Sequence, residues 1–397
     1  MPKFTFAKMQ ETANMARAIA KSGAISSGLD AVKRFYGGPD LGSIALEYLL
    51  SSNVLPLGII LQLFGPEGSG KSTLAADLLN RCFLSNGGEA NLIDTEQKIN
   101  ESLMRGILGD EPIQDGRFTV TRAPVLEQAQ TVLTTLAKEL NKLTHGSKKG
   151  EAPHMLGVAL DSFRVAAQAT IDAVLKSGHA SKAFAAEANL WRQYLGAFMS
   201  LLQYSPMTLI IVNHQVEKES PAGYGKVYDV GGGLALKFYE TYRIQVKTIR
   251  KVSKVNDVYS DLVLTTFKNS NGESKNQVSP RIVYRSPDLE EGRVLVDWSV
   301  ADANLLAGPD IPRSKLSSEG VCNVKETTKA GFFSDDILGL KGVPIKEITD
   351  AIYADADRLA KLREILGIQV NHTLDELYED GWFRDAKAGV GIPSEDE

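Results

Sequence analysis

Cysteine is scarce in this chain, and long hydrophobic stretches are absent from it. Cys82 and Cys322 are the only two cysteines among 397 residues, too few for a disulfide framework, which favours a reducing compartment. No apolar run reaches the roughly 18 residues that a membrane-spanning helix needs, and the first residues lack the apolar core of a signal peptide. These absences argue against a disulfide-rich secreted fold and against a membrane protein, and they predict a cytoplasmic location.

An excess of positive charge is also missing. The chain has 44 Lys and Arg residues against 49 Asp and Glu residues, a net charge of −5, so any nucleic-acid site must be a local feature. Hydrophobic residues make up 43% of the chain and charged residues 23%, which is typical of a globular protein. The length predicts two or three domains and is enough to bury a full core.

One short stretch has a specific chemical signature. Residues 65–72 match the P-loop pattern G-x-x-x-x-G-K-[ST], and they lie between a strand-like apolar run and a helix-like run. In this motif the glycines let backbone N–H groups close on phosphates, and the helix N-terminus favours negative charge. We expect Lys71 to reach the β- and γ-phosphates and the Ser72 hydroxyl to hold Mg²⁺. The alternative is an ordinary glycine turn before a helix. The predicted nucleotide-binding residues here are Gly65, Pro66, Glu67, Gly68, Ser69, Gly70, Lys71, Ser72 and Thr73.

Strand-like and helix-like segments alternate after the P-loop. Apolar runs end near residues 94, 161 and 214, and helical periodicity covers residues 127–143 and 184–203. This alternation predicts an α/β fold with a mainly parallel sheet covered by helices. We divide the chain into an N-terminal helical oligomerisation appendage (1–40), a nucleotide-binding core (41–300) and a small α-rich C-terminal domain (301–397).

Three polar residues follow the ends of predicted strands, where ligands of parallel sheets bind. Asp161 ends an apolar run and is predicted to be a Mg²⁺ ligand, with a helix N-cap as the alternative. Glu96 could polarise an attacking water as a general base, or it could be a solvent-facing acid. His214 is the third. The residues themselves leave both readings of Glu96 open.

Two loops have compositions that suit single-stranded nucleic acid, because tyrosine can stack on bases and lysine can contact the backbone. The first covers residues 167–183, and the second is a long glycine-rich loop over residues 216–230. The alternative, mobile surface loops, is favoured on composition alone. The candidate DNA-binding residues are Lys176, Lys182, Lys218, Tyr224, Lys226, Tyr228, Gly232 and Gly233.

The two ends of the chain read as separate regions. A helix is predicted over residues 10–22, a linker over residues 308–312, and helices over residues 345–366 and 373–382. The last five residues form an acidic tail that could compete with DNA for basic loops, or could be a solvated end.

Several motifs occur in the order seen in RecA-type recombinases. They are residues 65–72, Asp94-Thr95-Glu96, Leu160-Asp161-Ser162, Val212-Asn213-His214, Gly232-Gly233-Leu234-Ala235-Leu236-Lys237-Phe238-Tyr239 and Phe267-Lys268-Asn269. The stretch over 232–239 is the most specific of these. Over roughly residues 43–300 the chain resembles a divergent, phage-encoded member of this family near the UvsX-like branch, which would act in the host cytoplasm. The spacing Phe4-x-x-Ala7 resembles a subunit-linking motif of some recombinases, with an apolar staple beside a helix as the alternative.

The resemblance implies roles for individual residues. Glu96 matches the catalytic glutamate of the family, Asp161 its Mg²⁺-binding acid, and the two loops its DNA-binding loops. Lys268 matches a lysine that reaches the ATP of the adjacent subunit, which would place ATP at the subunit interface.

The sequence also departs from the family pattern. His214 stands where bacterial members have a glutamine that senses the γ-phosphate. Leu103 stands where an aromatic ring stacks on adenine, so nucleotide choice would be looser. Ser270 stands where a second lysine contacts the adjacent subunit, and Lys275 is a candidate replacement.

The resulting hypothesis is an ATP-dependent homologous recombinase for DNA recombination and repair. With ATP and Mg²⁺ it would form filaments on single-stranded DNA and pair that strand with a homologous duplex, with single-strand-binding and mediator proteins as further partners. Two alternatives remain, a hexameric RecA-fold helicase and a nucleotide-gated DNA-binding filament protein with little hydrolysis.

Overall fold

The computed structural model describes residues 37–146, 154–167, 170–172, 183–203, 205–219, 226–230, 233–308, 313–374 and 376. The helices are α1 (Ile44–Leu50), α2 (Lys71–Leu78), α3 (Glu101–Leu108), α4 (Glu111–Gln114), α5 (Leu126–Gly146), α6 (Ala183–Leu202), α7 (Gly233–Tyr239), α8 (Ser299–Ala307), α9 (Arg313–Ser318), α10 (Ile345–Tyr353) and α11 (Ala356–Leu366). The strands are β1 (Ile59–Gly65), β2 (Glu89–Asp94), β3 (Phe118–Arg122), β4 (Leu156–Asp161), β5 (Met207–Glu219), β6 (Lys226–Val230), β7 (Tyr242–Ser253), β8 (Val258–Asn269), β9 (Gln277–Val278), β10 (Arg281–Arg285), β11 (Leu295–Asp297), β12 (Val324–Glu326), β13 (Phe332–Asp335) and β14 (Leu340–Pro344).

A large central sheet organises the chain. Its strand order is β11-β10-β8-β7-β1-β5-β4-β2-β3, with β6 paired to β5 and β9 paired to β8. The six strands from β7 to β3 in this order run parallel, and the strands on the β8 side are antiparallel. The predicted α/β fold with a mainly parallel sheet is confirmed.

Helices cover both faces of the sheet, which is why its central strands are continuous apolar runs. Every residue of β1 is buried. Leu61 and Leu63 pack with the α2 side of the core, and Ile60 packs with α5 and α6 on the opposite face through residues such as Leu133 and Trp191. Among the described residues, no helix is both long and apolar enough to cross a membrane.

The pairing register brings the predicted site residues to one edge of the sheet. Gly65 on β1 lies opposite His214 on β5, and Asp94 on β2 lies opposite Asp161 on β4. Because all four strands are parallel, their carboxyl ends lie side by side. The P-loop, the two acids and the histidine therefore share one end of the sheet.

The prediction of a long loop over residues 216–230 is wrong for most of that stretch. β5 continues to Glu219, and its end pairs antiparallel with β6, from Gln215 opposite Val230 to Glu219 opposite Lys226. Backbone pairing between the two arms satisfies hydrogen-bonding groups that a loop would leave to water. The intervening residues 220–225 lie outside the described part of the chain.

The region after residue 300 also differs from the prediction. It is not simply α-rich, because β12, β13 and β14 form a three-stranded antiparallel sheet. The helix predicted over residues 345–366 is two helices, α10 and α11. The break occurs at Asp355, whose side chain accepts from the backbone N–H of Arg358 and caps α11. The predictions for residues 1–36, the Phe4-x-x-Ala7 spacing, residues 309–312 and residues 377–397 lie outside the described residues.

A buried carboxylate just after α7 is expected to make the free energy of unfolding depend on pH. Glu240 is 2% exposed, and burial, which outweighs the attraction of Arg243 and Lys268, raises its pKa from 4.5 to about 7. The folded chain therefore binds more protons than the unfolded chain between these two pH values, and stability is lost as the pH rises through that window. Glu240→Gln is expected to raise the free energy of unfolding at pH 8 by about 1–3 kcal/mol, with a smaller gain at pH 5.

Chemical denaturation at the two pH values measures this difference. The control is Glu290→Gln, which changes an exposed carboxylate. A Glu240→Gln variant that is destabilised equally at both pH values would contradict the expectation.

Candidate nucleotide-binding site

The loop between β1 and α2 needs glycine at defined positions. Gly68 and Gly70 have φ of 66° and 90°, in the left-handed region that disfavours other residues. A Cβ atom on Gly70 would also lie 2.7 Å from Ile282 Cδ1 on β10. The loop can therefore turn tightly into the N-terminus of α2, where its N–H groups are available to an anion.

Lys71 is a buried cation inside this loop. It is 5% exposed, and its Nζ donates to the carbonyl oxygens of Gly65 and Pro66 over 3.1 and 2.6 Å. Burial lowers the pKa of Lys71, although the nearby carboxylates of Asp161 and Glu96 oppose that effect. The buried hydroxyl of Ser69 has no hydrogen-bond partner among the residues that the structure describes. A buried ammonium group beside an unpartnered hydroxyl suits a phosphate group.

Ser72 and Asp161 form an oxygen pair next to Lys71. Burial raises the pKa of the Asp161 carboxyl, although its interaction with the Ser72 hydroxyl opposes that effect. Asp94, on the neighbouring strand, accepts from the N–H groups of Gln97 and Ile99 and so orders the segment after β2. Hydroxyl and carboxylate oxygens are the ligands that Mg²⁺ prefers, so the residues present fit this metal together with phosphate oxygens.

Glu96 lies in a hydrogen-bonded cluster just beyond the end of β2. Ser162 Oγ donates to Glu96 Oε1 over 2.6 Å, and His214 Nε2 lies 3.0 Å from the same oxygen. Lys98 Nζ lies 3.0 Å from Oε2. Burial acts to raise the pKa of Glu96, but the hydrogen bonds from Ser162, His214 and Lys98 outweigh it and lower the pKa to about 2. The structure thus brings Glu96 and His214 together and adds two partners that the sequence analysis missed.

A pocket of about 310 Å³ is lined by these groups and also by apolar side chains. Leu103 and Met104 of α3 are among the apolar residues that line it, and the contact of Leu103 with a base stays a prediction. Tyr284 on β10 lines the pocket as well, and its hydroxyl interacts with Ser260 and Thr73. No motif surrounds Tyr284 in the sequence, and its place in the pocket comes from the packing of β10 beside Gly70.

Lys268 is not among the residues that line this pocket. Its Nζ donates to the carbonyl oxygen of Lys237 over 2.7 Å and approaches that of Phe238 at 3.5 Å, both in the last turn of α7. Lys275 is exposed, with a φ of 84°. Neither lysine is among the described residues that line the pocket, and their predicted roles toward an adjacent subunit stay predictions.

The candidate DNA-binding residues are only partly covered by the structure. Lys176, Lys182, Tyr224 and Gly232 lie outside the described residues. Lys218 lies on β5, Lys226 and Tyr228 on β6, and Gly233 at the start of α7. His214 connects the two regions, because the strand that carries it continues into the β5–β6 hairpin.

Comparison with known proteins gives one consistent family. The family model of the RecA N-terminal domain matches residues 17–140. Protein RecA of Nautilia profundicola is 24% identical over 343 residues, covering 85% of this chain and 86% of the relative. Protein RecA of Sulfurimonas denitrificans is 22% identical over 324 residues, 77% of this chain and 88% of the relative. The mainly parallel sheet and the P-loop motif at its carboxyl edge agree with these matches, and the chain is similar to proteins of the RecA family.

Proposed function

We propose that this protein is an ATP-dependent homologous recombinase that assembles on single-stranded DNA and pairs it with a homologous duplex. The observation that carries the proposal is the position of Glu96. It lies in the same pocket as Lys71, Ser72 and Asp161, and it is in contact with His214 on the strand that leads to the β5–β6 hairpin. The side chain of His214 thus joins a candidate hydrolytic site to a candidate DNA-binding element.

The chain's own residues would divide the work of ATP hydrolysis. The P-loop backbone and Lys71 would bind the phosphates, while Ser72 and Asp161 would hold Mg²⁺. Bound Mg²⁺ would neutralise phosphate charge and so favour attack by water. Glu96 would orient that water and accept its proton. Leu103 and Tyr284 would contact the base, with Tyr284 supplying a ring for stacking.

His214 would couple the state of the bound nucleotide to the conformation of the DNA-binding hairpin. A change at Glu96 would alter the hydrogen bond to His214 Nε2, and β5 would carry the resulting shift to the hairpin. Lys218, Lys226 and Tyr228 would contact DNA from this hairpin, and Lys176, Lys182, Tyr224, Gly232 and Gly233 would complete that surface. The predicted order-to-disorder change of these segments would release DNA after hydrolysis.

Assembly would complete the site. Lys268 would reach the ATP of the adjacent subunit, for which it must leave the carbonyl groups at the end of α7. ATP would then lie at the subunit interface of a filament, so that assembly and hydrolysis are coupled. Residues 1–40 would link subunits, and single-strand-binding and mediator proteins are the proposed accessory partners.

The test is ATP hydrolysis with and without single-stranded DNA, with negative-stain microscopy of the same samples. We expect DNA-stimulated hydrolysis by extended filaments, and we expect Lys71→Ala to lose both, because the buried ammonium group is the main cation of the P-loop. Lys325→Met, which changes an exposed lysine paired with Asp336 far from the pocket, serves as the control.

Two other results would replace the proposal. Discrete rings that unwind duplex DNA would favour the hexameric helicase. Filaments that bind DNA and ATP without hydrolysis would favour a nucleotide-gated binding protein, and would remove the base role from Glu96.

A further inference from the structure

The pocket beside the P-loop contains more negative than positive side chains. Four carboxylates line it, from Glu67, Asp94, Glu96 and Asp161. Of the described residues in its wall, the side chains with a permanent positive charge are Lys71 and Lys98. A nucleoside triphosphate adds further negative charge to this pocket. Each positively charged side chain near the phosphates is therefore expected to contribute to nucleotide affinity. Lys98 is such a side chain, in addition to Lys71.

Lys98 is positioned so that its ammonium group could exchange Glu96 for a phosphate group. Its Nζ lies 3.0 Å from Glu96 Oε2, and its side chain is 71% exposed, against 25% for Glu96. Lys71, by contrast, is buried and tied to loop carbonyl groups. An exposed ion pair is weak and its long side chain is mobile, so a phosphate group that enters the pocket can compete with Glu96 for this ammonium group.

The contact between Lys98 and Glu96 also opposes catalysis. Ser162 and His214 engage Oε1 while Lys98 engages Oε2, so both oxygens of Glu96 have partners. A carboxylate held this way is a poor acceptor for a proton from water, because a general base works best with a pKa near the working pH. Release of Oε2 by Lys98 would leave that oxygen open to water.

We propose that Lys98 is a further residue of the nucleotide site, which pairs with Glu96 before the nucleotide binds and moves to the terminal phosphate afterwards. The inference rests on the proposed ATPase function. Because Glu96 would stand next to the attacking water, the cation beside it would stand next to the γ-phosphate. Lys98 would therefore select a triphosphate over a diphosphate and free the base only when a triphosphate is present.

The first test measures affinity, not turnover. The full-length protein is titrated calorimetrically, without DNA and with Mg²⁺, with ADP and with adenylyl-imidodiphosphate, an ATP analogue that resists hydrolysis. Lys98→Met is expected to weaken binding of the triphosphate analogue by about 3- to 10-fold, which corresponds to a partly exposed charged contact. ADP binding is expected to change much less. Lys98→Arg should restore most of the preference, and the remote variant Lys325→Met should bind like the wild type.

A double-mutant cycle tests the exchange itself. In the wild type Lys98 must break its contact with Glu96 before it can bind the phosphate. Its measured contribution to triphosphate affinity is therefore the free energy of the phosphate contact minus that of the Glu96 contact. In a Glu96→Gln background this competing contact is gone. Lys98→Met is therefore expected to cost more triphosphate affinity in that background than in the wild type. An equal or smaller cost there would overturn the exchange.

The outcomes separate this inference from the proposed function. If Lys71→Ala loses nucleotide binding while Lys98→Met binds both nucleotides like the wild type, the role of Lys98 is wrong and the nucleotide site stands. An equal loss of affinity for ADP and for the triphosphate analogue would also overturn the selective role. If the wild type binds neither nucleotide, the proposed function itself fails.

Discussion

Replacing Glu96 by glutamine is expected to lower DNA-stimulated ATP hydrolysis by about 10²- to 10⁴-fold, while ATP binding is retained. The glutamine carbonyl oxygen can still accept from Ser162 Oγ and remain near His214 Nε2, so the local packing persists. The amide cannot accept a proton from water. Loss of ATP turnover with intact ATP binding would therefore show that Glu96 acts as the general base. It would exclude the explanation that the substitution disrupts the structure of the site.

The measurement is steady-state hydrolysis beside calorimetric ATP binding. Glu101→Gln is the matched control, because Glu101 lies five residues further along, is 77% exposed and pairs with Arg105 outside the pocket. It should keep both activities. A Glu96→Gln variant with wild-type turnover would mean that another group activates water, and would make the contact between Glu96 and His214 structural.

Replacing Arg363 by methionine is expected to destabilise the fold by about 3–5 kcal/mol. Arg363 on α11 makes two hydrogen bonds to Glu47 on α1, from Nε over 2.8 Å and from an Nη atom over 2.9 Å. Glu47 is 2% exposed and also accepts from the Tyr353 hydroxyl. Methionine keeps much of the length and apolar volume of arginine but leaves this carboxylate buried without its cation.

An exposed ion pair of the same region supplies the control. Lys346 and Asp350 are 73% and 59% exposed, so Lys346→Met should change stability little. Urea unfolding at neutral pH compares the variants, with equal slopes required for a direct comparison. The double variant Glu47→Gln/Arg363→Met should recover part of the loss, because it removes the uncompensated charge. Equal, small effects of Arg363→Met and Lys346→Met would show that α11 is not anchored by this pair.

A second buried carboxylate attaches α8 to the N-terminus of α1. Asp302 on α8 accepts from Ser43 Oγ over 2.9 Å and from the Ala45 N–H over 2.7 Å, at the N-terminus of α1. Residues more than 250 positions apart thus meet around one short helix. The local sequence around Glu47 or Asp302 does not predict these hydrogen-bond partners. Each residue has the sequence context of an ordinary polar residue on the surface of a helix.

The site divides in the same way. The P-loop is predictable because its eight consecutive residues contain the glycines that its turn needs. The residues just before and after it have the patterns of a strand and of a helix. Asp161 and His214 are predictable because each follows an apolar run in the sequence. Ser162, Lys98 and Tyr284 are not, since their positions depend on which strands become neighbours and on the path of the segment between β2 and α3.

The sequence alone determined the class of fold, the P-loop motif and the polar residues that follow apolar runs, because these depend on periodicity and on the chemistry of adjacent residues. The tertiary structure decided the rest. It turned a presumed loop into the β5–β6 hairpin, split one predicted helix at Asp355, and added a small sheet after residue 300. It also set Lys98 against Glu96 and Lys268 against the end of α7. These features depend on contacts between distant segments, whose energies appear only when the chain has packed.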